Sequence, residues 1–166
     1  MIYLLIGPIG AGKTSVGNAI AQKLGYEFLE LDEQALRRSG FETIRDAFKN
    51  GSTKFKEAEL EVAKKLSQKD NMVIACGGGM VVNQLNFDYF RESGKEVKIV
   101  YLNVTPQTQV ERLVEKHAFF EEKQKEILEG VKKIYEERDF LYRLISDQIV
   151  DTQKLGVDEV VKAILK

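Results

Sequence analysis

The chain has 166 residues, 43% of them hydrophobic and 31% charged, which suits one globular domain with a single core and argues against a second. Lys plus Arg number 25 against 26 for Asp plus Glu, so a net charge of −1 gives no basis for binding nucleic acid or an anionic membrane, and any anion site must be local. A lone cysteine, Cys76, rules out an intramolecular disulfide and fits a reducing compartment. The N-terminus lacks the basic start and long apolar stretch of a signal peptide. No apolar run approaches the ~20 residues that span a bilayer. A soluble cytoplasmic protein is the expectation.

Taken in chain order, Ile2–Ile6 is a short, wholly apolar run that predicts a buried parallel strand. From Lys13 the period changes: Val16, Ala19, Ile20, Lys23 and Leu24 follow helical spacing, closed by Gly25. Residues 26–31 read as a second strand, and residues 32–50 as helix with a break at Ser39-Gly40. Residues 53–68 form a charged amphipathic helix with Phe55, Leu60, Val62, Ala63 and Leu66 among its apolar positions. Residues 72–76 are a third strand, 81–93 a helix, and 97–102 a fourth strand. Thr105-Pro106 starts a helix, with threonine as N-cap and proline at the first helical position. The charge-dense stretch 115–126 follows, then a helix over 127–145, a short strand at 148–150 and a final amphipathic helix. Strands alternating with helices predict an α/β fold: a three-layer sandwich with a five-stranded parallel sheet flanked by helices. Ligands of such sheets sit at the carboxyl ends of the strands.

Gly7-Pro8-Ile9-Gly10-Ala11-Gly12-Lys13-Thr14 matches G-x-x-x-x-G-K-[ST] between an apolar strand and an amphipathic helix, the setting of a phosphate-binding P-loop of the NTPase type. Glycines let backbone N–H groups approach phosphate oxygens, and the helix N-terminus adds partial positive charge. Gly10, Ala11, Gly12, Lys13, Thr14 and Ser15 are therefore the candidate ATP contacts, with Lys13 reaching the β and γ phosphates and the Thr14 hydroxyl a ligand for Mg²⁺. A glycine-rich turn that merely contains Gly-Lys-Thr competes poorly in this context.

Neither the third strand, ending in Cys76-Gly77, nor the fourth, ending in Leu102-Asn103, supplies a carboxylate to the cleft. The second does. Glu30 and Asp32 lie two apart, so on a strand they share a face. One then supports Mg²⁺ and the other orients or deprotonates an attacking hydroxyl; the alternative for Asp32 is a helix N-cap. Gly77-Gly78-Gly79 leaves either a wall without side chains for a small substrate or a flexible turn.

The order of a P-loop, Glu30-x-Asp32, Phe55-Lys56-x-x-Glu59, Ala75-Cys76-Gly77-Gly78-Gly79, Arg138-x-x-x-Tyr142 and Val150-Asp151-Thr152 resembles the shikimate kinase family over nearly the whole chain. The resemblance implies a single domain over residues 1–166 with a mobile lid at about 115–126. It also implies transfer of the ATP γ-phosphate to the 3-hydroxyl of shikimate with Mg²⁺, usually by a monomer. It places Asp32 at the shikimate hydroxyls, Glu30 near Mg²⁺, Gly77, Gly78 and Gly79 beside the substrate, and Arg138 at its carboxylate. Arg112 falls at the position that packs on adenine, with Gln153 and Lys154 edging it.

Three positions depart from the family pattern: Glu30 replaces an aspartate, Lys56 an arginine, and Phe119-Phe120-Glu121 an Arg-Pro-Leu lid sequence. Lysine cannot grip a carboxylate bidentately. The lid loses an arginine that would stabilise the transferring phosphoryl group, leaving Lys116, Lys123 and Lys125 as possible substitutes. A related kinase with a different acceptor and a nucleotide-binding module with little turnover are the alternatives these departures keep open. His117 reads as a solvated lid residue, Cys76 as a small buried filler, and Phe119-Phe120 either closes over substrate or enters the core.

Overall fold

The computed structural model describes residues 1–49, 52–116 and 123–166. Five strands, β1 (Ile2–Ile6), β2 (Glu27–Glu30), β3 (Met72–Ala75), β4 (Val97–Asn103) and β5 (Gln148–Asp151), form a sheet in the order β2-β3-β1-β4-β5. Every neighbouring pair is parallel. Strand β1 is central and buried along its whole length, and its alternation divides the core in two. Ile2, Leu4 and Ile6 join Met72, Ile74, Ile99 and Tyr101 on one face. Tyr3 and Leu5 join Val73, Val100, Leu102 and Val150 on the other.

Helices α1 (Lys13–Leu24) and α8 (Val157–Ile164) cover the second face, inserting Val16, Ile20, Val160, Val161 and Ile164. On the first face lie α4 (Thr53–Leu66), α5 (Leu85–Arg91) and α7 (Gln124–Ile145), which contribute Val62, Leu66, Phe87, Phe90 and Tyr142. Helix α6 (Pro106–Lys116) follows β4, and its start is as the sequence implies, with the Thr108 N–H on Thr105 Oγ1 at 3.5 Å. A third, small core of Ala35, Ala47, Phe55 and Ala58 ties α2 (Leu31–Ser39) and α3 (Ile44–Lys49) to α4. No helix among the described residues is long and apolar enough to cross a membrane.

Two expectations about local structure need correction. The second strand stops at Glu30, which is the extended N-cap of α2, so Asp32 stands in the first helical turn and does not share a strand face with Glu30. Buried Leu31 anchors that turn in the core, and acidic Asp32 and Glu33 suit a helix N-terminus. Helix also takes both ends of the charge-dense stretch: α6 runs through Lys116, and α7 starts at Gln124. Charge density does not oppose helix when the residues are Lys, Glu and Gln. His117 and Phe119-Phe120-Glu121 lie outside the described residues.

Candidate active site

The carboxyl ends of all five strands converge on one cleft. After β1 the chain turns sharply at Gly7, whose φ of 142° favours glycine. A β-carbon there would sit 2.6 Å from the Leu102 carbonyl oxygen, so only glycine lets the loop cross the end of β4. Gly10 and Gly12 also have positive φ, at 77° and 91°. Ala11 is buried beneath the loop and Ser15 is exposed on the first turn of α1. Lys13 folds over the loop and donates to the Gly7 and Pro8 carbonyls at 2.8 Å each. Burial lowers its ammonium to about 8, against the pull of Asp32, Cys76 and Glu30. The next residue is Thr14, whose hydroxyl donates to Glu30 Oε1. A hydroxyl and a carboxylate thus stand side by side next to Lys13.

The rim beyond the P-loop is held by Arg112 of α6. Its guanidinium donates to the Gly10 carbonyl at 2.9 Å and to both the carbonyl and the hydroxyl of Thr152, just after β5. Thr152 Oγ1 donates in turn to the Asn103 carbonyl at 3.1 Å. Gln153 accepts from Thr105 at 2.9 Å and donates through its side chain to Asp151. Arg112 and Gln153 therefore occupy one edge of the cleft, with Lys154 exposed beside them.

On the opposite side Asp32 rests against Gly77, where a β-carbon would overlap its carboxylate. Its Oδ1 is buried without a hydrogen-bond partner among the described residues. A carboxylate oxygen in that state is costly unless a ligand answers it. Burial raises the Asp32 carboxyl above its ordinary range, with Lys13 opposing and Glu30 adding to the rise. Gly77→Ala is expected to displace this carboxylate and lower kcat/KM by roughly 100-fold, as misplacement of an orienting group does. Steady-state kinetics beside an ATP-binding titration check it, the titration remaining unchanged.

Arg138 of α7 donates through Nη1 to the Gly78 carbonyl at 2.9 Å, which brings its guanidinium to the glycine loop. Lys56 is exposed on α4. Cys76 is 1% exposed and burial pushes its thiol up, which fits a filler rather than a nucleophile. The structure thus gathers Lys13, Thr14, Glu30, Asp32, Gly77, Gly78, Gly79 and Arg138 into one cleft, with Arg112 and Gln153 at the edge beside Gly10 and Thr152.

Two groups at this site received no role from the sequence. Glu59 is 7% exposed on α4, and burial pushes its carboxyl up to about 7, with Asp32 raising it further and Lys56 opposing. Its spacing was the available signal: Phe55, Glu59, Val62, Ala63 and Leu66 form a single buried helical stripe, so Glu59 is an acid at a core position. The neutral acid of the folded state binds a proton that the unfolded chain releases near 4.5. This group's contribution is accordingly full below about 4.5 and lost as pH rises through about 7. Glu59→Gln should match the parent in melting temperature near pH 4 and exceed it at pH 8, by up to roughly 3 kcal/mol of stability. Thermal melts at the two pH values check this.

The second is Tyr142, whose hydroxyl donates to the Gly78 carbonyl at 2.6 Å.

A P-loop on the central strand, two carboxylates from the start of α2 and a side-chain-free glycine wall in a β2-β3-β1-β4-β5 sheet define a P-loop kinase: an ATP-dependent phosphotransferase with an alcohol acceptor. The chain belongs to the shikimate kinase family, whose model matches residues 9–166. A shikimate kinase of Methylococcus capsulatus is 34% identical over 97% of this chain and 88% of its own length. One of Thermodesulfovibrio yellowstonii is 31% identical over 98% and 92%. Among solved structures, shikimate kinase from Acinetobacter baumannii in complex with shikimate aligns with a TM-score of 0.82 and 27% identity over 99% of this chain and 90% of its own. A gluconokinase from Sinorhizobium meliloti, at 20% identity and a TM-score of 0.60, shares the fold.

Proposed function

We propose that the protein transfers the γ-phosphoryl group of ATP to the 3-hydroxyl of shikimate. The observation that carries this reading is the buried Oδ1 of Asp32, without a hydrogen-bond partner among the described residues, set against the glycine wall and within the field of Lys13. Membership of the family and the likeness to a shikimate complex support the choice of acceptor.

In this reading the acceptor hydroxyl lies on Asp32. Its oxygen attacks the γ phosphorus, the bond to the β–γ bridging oxygen breaks, and ADP leaves with that electron pair. Asp32 takes the hydroxyl proton, a role its raised affinity for protons suits. Lys13 exchanges the Gly7 and Pro8 carbonyls for phosphate oxygens and balances the negative charge there. Arg138, with Lys56, holds the acceptor's carboxylate. Arg112 and Gln153 border the adenine.

The Thr14 hydroxyl and Glu30 carboxylate are a hard-oxygen pair of the kind Mg²⁺ accepts when phosphates and water complete its shell, and no cluster of three or more acidic, His or Cys ligands competes among the described residues. Bound there, Mg²⁺ would neutralise charge on the β and γ phosphates. The reading treats residues 1–166 as one domain with a lid at about 115–126. It takes the enzyme as a cytoplasmic monomer without nucleic-acid or membrane partners.

A second reading, a related kinase for another hydroxy acid, is favoured by one observation: Lys56, in place of the family's arginine, is exposed and offers no planar fork to a carboxylate. ADP release with Mg²⁺, measured with and without shikimate, tests the choice. Shikimate-dependent turnover supports the first reading. ADP release stimulated only by other hydroxy acids supports the second.

A further inference from the structure

The Gly78 carbonyl oxygen receives two side-chain donors, Arg138 Nη1 at 2.9 Å and Tyr142 Oη at 2.6 Å. Both lone pairs of that oxygen are therefore used, and both donors come from α7. Tyr142 is 1% exposed and stacks on Tyr101, with ring centroids 4.9 Å apart and planes at 26°. Filling the core asks for the ring but not for the hydroxyl.

Tyr101 is itself fixed at the end of β4. Its hydroxyl lies 2.7 Å from Asp139 Oδ1 and 3.0 Å from Asn103 Oδ1. Tyr135 also donates to Asn103, at 3.3 Å, and Arg143 holds the other oxygen of Asp139 at 2.7 Å. The stack thus links the strand end beside the P-loop to the glycine wall, through aromatic rings whose rotamers are locked by packing.

A trans peptide directs its N–H opposite to its C=O, and no peptide among the described residues is cis. Fixing the Gly78 carbonyl on α7 consequently aims the Gly79 N–H away from α7. Arg138 is shared between this carbonyl and the acceptor's anionic group in the reading above. An acceptor that draws the guanidinium off Gly78 leaves Tyr142 as the remaining donor.

We propose that Tyr142 is a positioning residue for phosphoryl transfer: its hydroxyl, backed by the Tyr101 stack, holds the Gly78–Gly79 peptide in orientation while Arg138 engages the acceptor. This rests on the placement of the acceptor between Asp32 and the glycine loop.

The test is Tyr142→Phe, which keeps the ring and removes one hydroxyl, with Tyr101→Phe as the second variant. In the acceptor-free protein, the Gly79 amide nitrogen resonance of Tyr142→Phe should move and broaden. In turnover the acceptor KM should rise about tenfold, the scale of one hydrogen bond lost to a carbonyl left otherwise unpaired, with kcat changed less than about threefold and ATP affinity unchanged. Tyr101→Phe should shift both readouts in the same direction and by less. An unmoved Gly79 resonance overturns the proposal. So does a moved resonance with an unchanged acceptor KM, or a rise in KM matched by equal losses in ATP affinity and melting temperature. The amide readout needs no acceptor, so it decides the positioning even if the parent enzyme proves inactive with shikimate, a failure that would count against the substrate alone.

Discussion

Asp32→Asn should lower kcat by about 10²- to 10⁴-fold, the range general-base groups contribute, with ATP affinity held within about twofold. Asparagine matches aspartate in size, so the fit against Gly77 survives, and neither the small core around Ala35 nor the larger one that holds Leu31 is touched. What changes is the capacity to accept a proton at the buried oxygen that has no partner among the described residues. Removing the charge also eases the burial of Asp32, because a neutral amide is less costly there than a carboxylate. The variant is therefore expected to melt no lower than the parent while losing turnover, a combination that a purely structural role for Asp32 does not give. Single-turnover rates, an ATP titration and a thermal melt on one preparation separate these contributions.

A loss on the same scale is expected from Lys13→Ala, which should reduce kcat/KM by at least roughly 10³-fold, as removal of a cation from a transferring phosphoryl group does. The ammonium is buried between the Gly7 and Pro8 carbonyls, and its affinity for protons is lowered to about 8, so it remains charged at pH 7. Alanine supplies neither the charge nor the reach. Arginine is not a conservative replacement, because a planar fork does not fit a cradle built for a point charge. Below about pH 8 the parent holds the proton on Lys13, so a pH–rate profile dominated by this group falls on the alkaline side. Kinetics of Lys13→Ala and Lys13→Arg with saturating acceptor check both statements.

The features that the sequence displays best are those written in contiguous residues. Ile2–Ile6 is apolar on both faces, and the structure buries both faces. The P-loop announces itself because its glycines, lysine and threonine must be adjacent to work. Asp32 shows the limit of such reading. An apolar run followed by Glu-Leu-Asp has the alternation of a strand, yet burial of Leu31 starts the helix one residue before Asp32. The carboxylate reaches the cleft anyway, by a different route from the one its spacing suggested.

Contacts between distant residues were not legible. The Gly78 carbonyl meets a hydroxyl 64 positions later, and Arg112 meets Gly10 across 102. Helical period places Tyr142 and Arg138 on one side of α7, but nothing in the pattern says which carbonyl they meet. Glu59 was legible in principle as an acid inside an apolar stripe. Its raised proton affinity comes first from burial, with Asp32, a residue of another helix, adding to it. The Glu30 substitution keeps a carboxylate close to Thr14, which preserves the oxygen pair despite the longer side chain.

The most direct test of the account is the identity of the product. Incubation with ATP, Mg²⁺ and shikimate, followed by ³¹P NMR and mass spectrometry, should show a new phosphomonoester of shikimate with protein-dependent loss of the ATP γ resonance. ADP accumulating with inorganic phosphate and unmodified shikimate would contradict it.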